Sequence, residues 1–130
     1  HCNRDSKDTC LSIFKNYFVN KNLNFAYHLD DIVKFHNLYS DLMKFWKTLL
    51  KDEIIDISYE NLVNNTKQEI QSLLKKCDLP WDDNCLHFYK NKRPIKTASD
   101  TQARKKIYKF SINSWKFYEK NLKLYFNKLT

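Results

Sequence analysis

The hexapeptide EIIDIS, residues 53–58, decides the fold class of this 130-residue chain. It is short and rich in isoleucine, which predicts a buried β-strand. Tyr59, Glu60 and Asn61 follow at its carboxyl end, and a helical pattern begins soon afterwards. A buried strand that leads into helices is typical of an α/β fold, in which helices cover the faces of a sheet.

The beginning of the chain supports the same fold class. Residues 1–4 are predicted to end another strand, and Asp5 or Ser6 then provides an N-cap for a helix over residues 7–18. The order along the chain is therefore strand end, helix, helix, strand and helices. Because one or two strands do not form a stable sheet alone, we expect the remaining strands to lie upstream.

Apolar residues at three- and four-residue spacing predict further helices. The longest covers residues 30–51, about six turns. Its apolar stripe consists of Ile32, Phe35, Tyr39, Leu42, Met43, Trp46, Leu49 and Leu50. The predicted caps of the later helices and turns are Thr66 in a capping box with Glu69, then Asp82 or Asp83, Asp100, and Ser111 or Asn113.

The composition excludes some classes of protein. Hydrophobic residues make up 42% of the chain, which argues against disorder. The absence of glycine excludes a glycine-rich phosphate loop and argues against a fold with many tight hairpins. A formal net charge of +8 favours an anionic partner, such as a nucleotide, a nucleic acid or an acidic surface, without choosing among them.

The cysteines do not form a metal-binding motif. Cys2 and Cys10 are eight residues apart, as are Cys77 and Cys85, which is too wide for a zinc knuckle. We expect buried free thiols and no metal, with a Cys77–Cys85 bridge as the alternative in an oxidising compartment. No signal peptide or membrane-spanning run is visible in this sequence, which lacks an initial methionine. We expect a cytoplasmic location and a longer parent protein.

One arginine occupies a position that suits phosphate binding. Arg4 begins the stretch RDSKDTCLS, residues 4–12, and is one of three arginines in a lysine-rich chain. Ser12 follows two helical turns later on the same side. A guanidinium fork and a hydroxyl can both donate to one phosphate group. The alternative is a surface arginine paired with Asp5 or Asp8 and an ordinary helix serine.

Tyr59 occupies the corresponding position after the second predicted strand. Ligands of α/β proteins bind at the carboxyl ends of strands, beside helix N-termini. An aromatic ring at that place can lie against a base or donate its hydroxyl to a ring nitrogen. The alternative is a tyrosine at the edge of the core.

Taken with these positions, the chain resembles the sulfotransferase family that uses 3′-phosphoadenylyl sulfate (PAPS). RDSKDTCLS is similar to that family's 3′-phosphate-binding signature. ISYENLVNNTKQEIQSLLKKCDLPW, residues 57–81, resembles the strand, tyrosine and helix segment of the family. Residues 81–108, followed by SWKFYEKNL, resemble the C-terminal segment of the bacterial-type branch. That branch often carries tetratricopeptide repeats upstream and is related to the tyrosylprotein sulfotransferases.

The resemblance implies a set of site residues. Arg4 and Ser12 would hold the 3′-phosphate of PAPS or of adenosine 3′,5′-bisphosphate, and Tyr59 would contact the adenine. Arg104, in TASDTQAR, would make a further cofactor contact, which Lys105 or Lys106 can share. No catalytic residue and no metal ligand is assigned.

The resemblance also implies a fold and an activity. Residues 1–130 would form the C-terminal, mostly helical portion of one P-loop-like three-layer domain with one or two parallel strands. The full enzyme would transfer a sulfuryl group from PAPS to an acceptor hydroxyl, phenol or amine. The phosphosulfate loop and the general base of the family have no counterpart in this sequence, so we expect the chain alone to be inactive.

Two other functions remain open at this point. A basic helical nucleic-acid-binding module fits the net charge, although the basic residues are spread along the chain. An interaction scaffold that docks a partner on the helix over residues 30–51 fits the long apolar stripe.

Overall fold

Two short parallel strands pair the beginning of the chain with its middle. The computed structural model describes residues 1–18, 21–94 and 103–130. Strand β1 (Cys2–Asn3) pairs with β2 (Ile57–Ser58), with Cys2 opposite Ile57 and Asn3 opposite Ser58. The strand predicted over residues 53–58 is confirmed for its last two residues. The prediction is wrong for residues 53–56, because Lys51–Glu53 form a 3₁₀ turn and the strand begins only at Ile57.

Helices make up most of the described residues, as predicted. The α-helices that lie wholly within the described ranges are α1 (Ser6–Lys15), α2 (Leu29–Leu50), α3 (Tyr59–Asn64), α4 (Thr66–Lys76) and α5 (Glu119–Phe126). The 3₁₀ helices are Lys21–Tyr27, Asp83–Lys90 and Ser114–Tyr118. A mostly helical chain with a parallel strand pair is consistent with the predicted α/β class, and the three-layer arrangement stays a prediction.

Helix α1 begins where it was predicted and ends earlier. The Asp5 carboxylate accepts a 2.9 Å hydrogen bond from the Asp8 N–H and so caps the helix. The helix ends at Lys15 because the backbone of Asn16 is extended. The side-chain amide of Asn16 donates a 2.8 Å hydrogen bond back to the Ser12 carbonyl. Beyond the end of α1, a 3₁₀ helix covers Lys21–Tyr27, while Val19 and Asn20 lie outside the described residues.

The predicted capping box at Thr66 is wrong. Helix α3, which the sequence did not predict, ends immediately before α4, so Asn65 occupies the cap position of α4. The Thr66 hydroxyl instead donates to the Leu62 carbonyl at 2.8 Å. The Asp82 cap is confirmed, because its carboxylate accepts from the Asn84 N–H at 2.8 Å.

The end of the chain is also close to prediction. Asn113 precedes the last helical region as its N-cap and adopts a left-handed conformation, with φ of 59°, which asparagine tolerates better than most residues. The cap predicted at Asp100 lies outside the described residues.

The described contacts divide the chain into two compact units. Unit 1 comprises His1–Asn3 and Ile55–Lys109, and unit 2 comprises Arg4–Ile54 and Phe110–Thr130. The core of unit 2 joins α1, α2 and α5 through Cys10, Leu11, Ile32, Val33, Leu122 and Phe126. Among the described residues of unit 1, Ile57 and Val63 are the buried apolar ones.

Two predictions about burial, for the apolar stripe on α2 and for the cysteine thiols, differ from the structure. Of the predicted stripe on α2, Ile32 is buried, whereas Phe35, Tyr39, Leu42, Trp46 and Leu49 are exposed. The expectation of buried thiols is right for Cys10 and wrong for Cys2 and Cys77, which are exposed, and all four cysteines are free.

Candidate functional site

Arg4 connects β1 to α1 and contacts the C-terminal part of its own unit. It directly follows Asn3 of β1 and directly precedes the cap residue Asp5. Its side chain is half-buried, and Nη2 donates a 2.7 Å hydrogen bond to the main-chain carbonyl of Ser111. A guanidinium carries five N–H donors, and this bond uses one of them. Arg4 therefore has a structural contact at the position predicted for phosphate binding.

Asp8 is a buried carboxylate that the sequence did not single out as a site residue. Its side chain is 1% exposed. It accepts hydrogen bonds from the Asn113 N–H at 2.6 Å, the Ser114 hydroxyl at 2.9 Å and the Trp115 N–H at 3.0 Å. These donors lie at the start of the Ser114–Tyr118 helix, where N–H groups lack partners within the helix. The described hydrogen bonds of the Asp8 side chain therefore all come from residues 113–115.

Asp8 has a clear structural effect on α1. One carboxylate oxygen accepts two bonds and the other accepts one, so the last helical region is held against α1 at a fixed position. The available sequence signal was an aspartate in the first turn of a helix, next to apolar neighbours. That signal does not reveal a partner more than a hundred residues away.

Ser12 lies on α1 beside this contact region. It is half-buried and follows the buried Leu11. Its carbonyl accepts from the Asn16 amide. Within the described parts of unit 2, no hydrogen bond is formed by the Ser12 hydroxyl, so this donor is not committed to the fold.

Cys10 and His36 have shifted pKa values in the interior of unit 2. Burial, and secondarily the negative charge of Asp5, raises the pKa of the Cys10 thiol to about 12. Burial lowers the pKa of His36, and the charge of Asp5 acts in the opposite direction. Because a thiolate is the reactive form of cysteine, Cys10 is an inert core residue.

Tyr59 and Arg104 belong to unit 1. Tyr59 follows Ser58 of β2 and is the first residue of α3. The Ser58 hydroxyl caps α3 by accepting from the Asn61 N–H at 3.3 Å and donates to Glu60 at 3.2 Å. The predicted place of Tyr59, at the carboxyl end of the second strand, is confirmed.

Arg104 bonds to two main-chain carbonyls of unit 1 that lie 13 and 11 residues earlier in the chain. Nη1 donates to the Asn91 carbonyl at 2.7 Å, and Nη2 donates to the Arg93 carbonyl at 3.1 Å. Residues 97–102, the first six residues of TASDTQAR, lie outside the described residues. Lys106, one of the two lysines expected to be able to share this role, lies 5.8 Å from the centre of the Tyr89 ring.

The four predicted site residues are thus distributed over both units. Arg4 and Ser12 flank the first two turns of α1 in unit 2, while Tyr59 and Arg104 belong to unit 1. Over residues 1–18, 21–94 and 103–130, no group of three or more His, Cys, Asp or Glu side chains is placed to hold a metal ion. Among the helices in these ranges, none has the length and apolar character required to cross a membrane.

Comparison with known proteins identifies the class of protein. The model of the sulfotransferase family matches residues 1–83, which is more than half of the chain and includes Arg4, Ser12 and Tyr59. The chain therefore belongs to the sulfotransferase family.

One relative extends the similarity to nearly the whole chain. The chain is 37% identical over 124 residues to a protein of Aquifex aeolicus (strain VF5) described as uncharacterized. The match covers 94% of this chain and 16% of that protein, so the chain spans about a sixth of the relative's length. No solved structure matched the chain.

Proposed function

We propose that this chain is the nucleotide-anchoring portion of a PAPS-dependent sulfotransferase. The observation that carries the proposal is the pairing of β1 with β2 in parallel, with Asn3 opposite Ser58. Arg4 directly follows Asn3 in the chain and Tyr59 directly follows Ser58. Each candidate residue is therefore the first residue after a strand, which is the usual position of ligand-binding residues in α/β folds.

In this proposal, Arg4 and Ser12 bind the 3′-phosphate. Arg4 supplies a planar charged donor, and Ser12 supplies a hydroxyl that makes no other described hydrogen bond. Each charge-assisted bond contributes roughly 1.5–3 kcal/mol. These bonds identify the cosubstrate and position it, but they do not touch the sulfur atom that is transferred.

Tyr59 is proposed to contact the adenine. Its place at the start of α3, half exposed, suits stacking of its ring on a base. Arg104 is proposed for a further contact. As described, its guanidinium donates to two carbonyls, so direct binding of the nucleotide requires it to release or share those bonds.

In the proposed reaction, an acceptor oxygen or nitrogen attacks the sulfur of PAPS. The bond from sulfur to the 5′-phosphate oxygen breaks, the acceptor loses its proton to a base, and adenosine 3′,5′-bisphosphate is released. This chain's residues would bind and orient the nucleotide. The base and the donors for the leaving phosphate are not assigned to this chain, and we propose that they belong to other parts of the complete enzyme, which would have the three-layer fold.

The proposal is tested by calorimetric titration of the chain with two isomers of equal charge. We expect adenosine 3′,5′-bisphosphate to bind at least tenfold more tightly than adenosine 2′,5′-bisphosphate. A basic nucleic-acid-binding module would bind the two isomers equally, with an affinity governed by salt. Equal binding, or no binding of either isomer, contradicts the proposal.

A further inference from the structure

Asp8 lies between the two residues that are proposed to hold the 3′-phosphate. It follows Arg4 by four residues and precedes Ser12 by four, so each step along the chain is about one helical turn. Its carboxylate is 1% exposed. A buried negative charge close to an anion site opposes binding through its charge. Any favourable effect of Asp8 on phosphate binding must therefore come from the groups that it holds.

The groups held by Asp8 are close in sequence to the hydrogen-bond partner of Arg4. The three bonds to the Asp8 carboxylate come from backbone and hydroxyl donors of residues 113–115. Arg4 donates to the main-chain carbonyl of Ser111, two residues before this group. The Asp8 carboxylate therefore helps to determine where the Ser111 carbonyl lies, and that carbonyl holds Nη2 of Arg4.

Two aromatic contacts fix the same segment. The ring of Trp115 meets the ring of Phe126, a core residue of unit 2, edge-on with the centres 6.3 Å apart. The Nζ atom of Lys7, the residue before Asp8, lies 4.1 Å from the centre of the Trp115 ring. A cation at this distance is attracted to the face of the ring. Residues 111–115 are therefore held at a defined place by the core of unit 2 and by the first turn of α1 together.

We propose that Asp8 is a positioning residue for the 3′-phosphate site, which acts by holding residues 111–115 and, through them, the guanidinium of Arg4. The inference rests on the proposed function, since it concerns the same phosphate. The planar donors of a guanidinium match phosphate oxygens only when they are aimed at them. A guanidinium that is already held loses less freedom on binding, which strengthens the complex.

This role differs from an electrostatic role and from a purely structural one. Asp8→Asn removes a negative charge, which by itself would strengthen binding of every anion. Positioning of Arg4 predicts the opposite sign, and only for ligands that carry a 3′-phosphate. A purely structural role would weaken ligands with and without the 3′-phosphate equally.

Titration calorimetry of the 130-residue chain tests the role through the affinity ratio of adenosine 3′,5′-bisphosphate to adenosine 5′-monophosphate, here called the 3′-phosphate increment. Ser114→Ala removes one of the three bonds to Asp8 and changes neither proposed phosphate ligand. We expect it to lower the increment roughly threefold or more, and Asp8→Asn to lower it roughly tenfold or more. The affinity for the monophosphate should not change. Ser72→Ala on the exposed side of α4 is the control and should leave both affinities unchanged.

A double-mutant cycle tests whether the effect passes through Arg4. Arg4→Lys keeps the positive charge but lacks the planar fork. In this background Ser114→Ala should have almost no further effect on the increment, because the guanidinium that it would misplace is absent. Equal effects of Ser114→Ala in the two backgrounds would overturn the proposed role of Asp8.

Nitrogen-15 NMR of the guanidinium groups tests the same step without a nucleotide. A guanidinium held by a hydrogen bond rotates slowly and gives separate signals for its two Nη atoms, whereas a released one gives an averaged signal. We expect separate Arg4 signals in the wild type and averaged ones in Ser114→Ala and Asp8→Asn. The signals of Arg104, which donates to carbonyls of unit 1, should stay unchanged. Arg4 signals that neither variant alters would contradict the positioning role.

The calorimetric outcomes distinguish this inference from the proposed function. A wild-type chain without any 3′-phosphate increment contradicts the proposed function and, with it, the role of Asp8. A wild-type increment that neither variant lowers, or that Asp8→Asn raises, overturns the positioning role alone. Circular dichroism verifies that the variants are folded, and if Asp8→Asn unfolds the chain, the result for Ser114→Ala decides.

Discussion

Arg4 donates a 2.7 Å hydrogen bond to the main-chain carbonyl of Ser111. The arginine proposed to bind the 3′-phosphate therefore also supports the C-terminal part of unit 2. Substitution of Arg4 by alanine is expected to change folding and anion binding together. Ser12 is the better probe of the nucleotide site, because its hydroxyl forms no hydrogen bond within the described residues. This difference determines which variant tests the central claim.

Asp8→Asn is expected to destabilise the chain strongly. The amide keeps one acceptor oxygen but loses the charge and turns an NH₂ group toward backbone and hydroxyl donors. We expect a loss of roughly 2–4 kcal/mol in the free energy of unfolding, measured by urea denaturation. Asp41→Asn is the control, because the exposed Asp41–Lys44 pair is worth at most about 1 kcal/mol. Equal effects of the two substitutions would show that the three bonds to Asp8 do not stabilise the fold.

Cys10 is expected to be unreactive in the native chain. Its buried thiol, with a pKa raised to about 12, stays protonated at pH 8, whereas Cys2 and Cys77 are exposed. A colorimetric thiol reagent should label Cys2 and Cys77 rapidly and label Cys10 only after denaturation. Cys10→Ala should leave the rapid labelling unchanged, while Cys77→Ala should remove one rapidly reacting thiol. Rapid loss of one thiol in Cys10→Ala would contradict the described burial.

His36 is expected to make the fold sensitive to acid. Burial lowers its pKa below the ordinary value of 6.5, so the native state favours the neutral ring. The stability it contributes is therefore complete above pH 6.5 and is lost as the pH falls through the folded-state pKa. Asp5→Asn removes the opposing negative charge and should lower the His36 pKa further, as measured by NMR titration. An unchanged or raised pKa would contradict the assignment of Asp5 as the opposing charge.

Tyr59 is expected to contribute to recognition of the base. Tyr59→Ala should weaken binding of adenosine 3′,5′-bisphosphate by roughly 1–3 kcal/mol, the usual value of base stacking. It should leave binding of ribose 3,5-bisphosphate, which has no base, unchanged. Tyr59→Phe separates stacking of the ring on the base from hydrogen bonding by the hydroxyl, because it keeps the ring and removes the hydroxyl. Equal weakening of both ligands by Tyr59→Ala would indicate a structural role alone.

The sequence predicts the elements of this fold better than their contacts. Spacing of apolar residues located α2 to within one residue at each end, because a helix imposes its own period. The same spacing did not reveal which side of α2 faces the core, since that depends on neighbouring elements. Strand β2 is shorter than its isoleucine-rich sequence, because pairing with a partner determines strand length.

For the candidate site, too, the positions of residues could be predicted and their contacts could not. Arg4, Ser12 and Tyr59 were selected from their positions beside predicted strands and helices, and the two strand ends are confirmed. The role of Asp8 was not predictable, because its three donors lie at residues 113–115 and come together with it only in the folded chain.

The most direct test of the central claim is a thermodynamic cycle on Ser12 and the 3′-phosphate. Binding of adenosine 3′,5′-bisphosphate and of adenosine 5′-monophosphate is measured calorimetrically for the wild type and for Ser12→Ala, with Ser72→Ala on the exposed side of α4 as control. We predict that Ser12→Ala weakens the bisphosphate roughly tenfold or more, since a charge-assisted hydrogen bond is lost, and leaves the monophosphate unchanged. Equal effects on the two ligands, or no effect on either, would contradict the assignment of Ser12 to the 3′-phosphate.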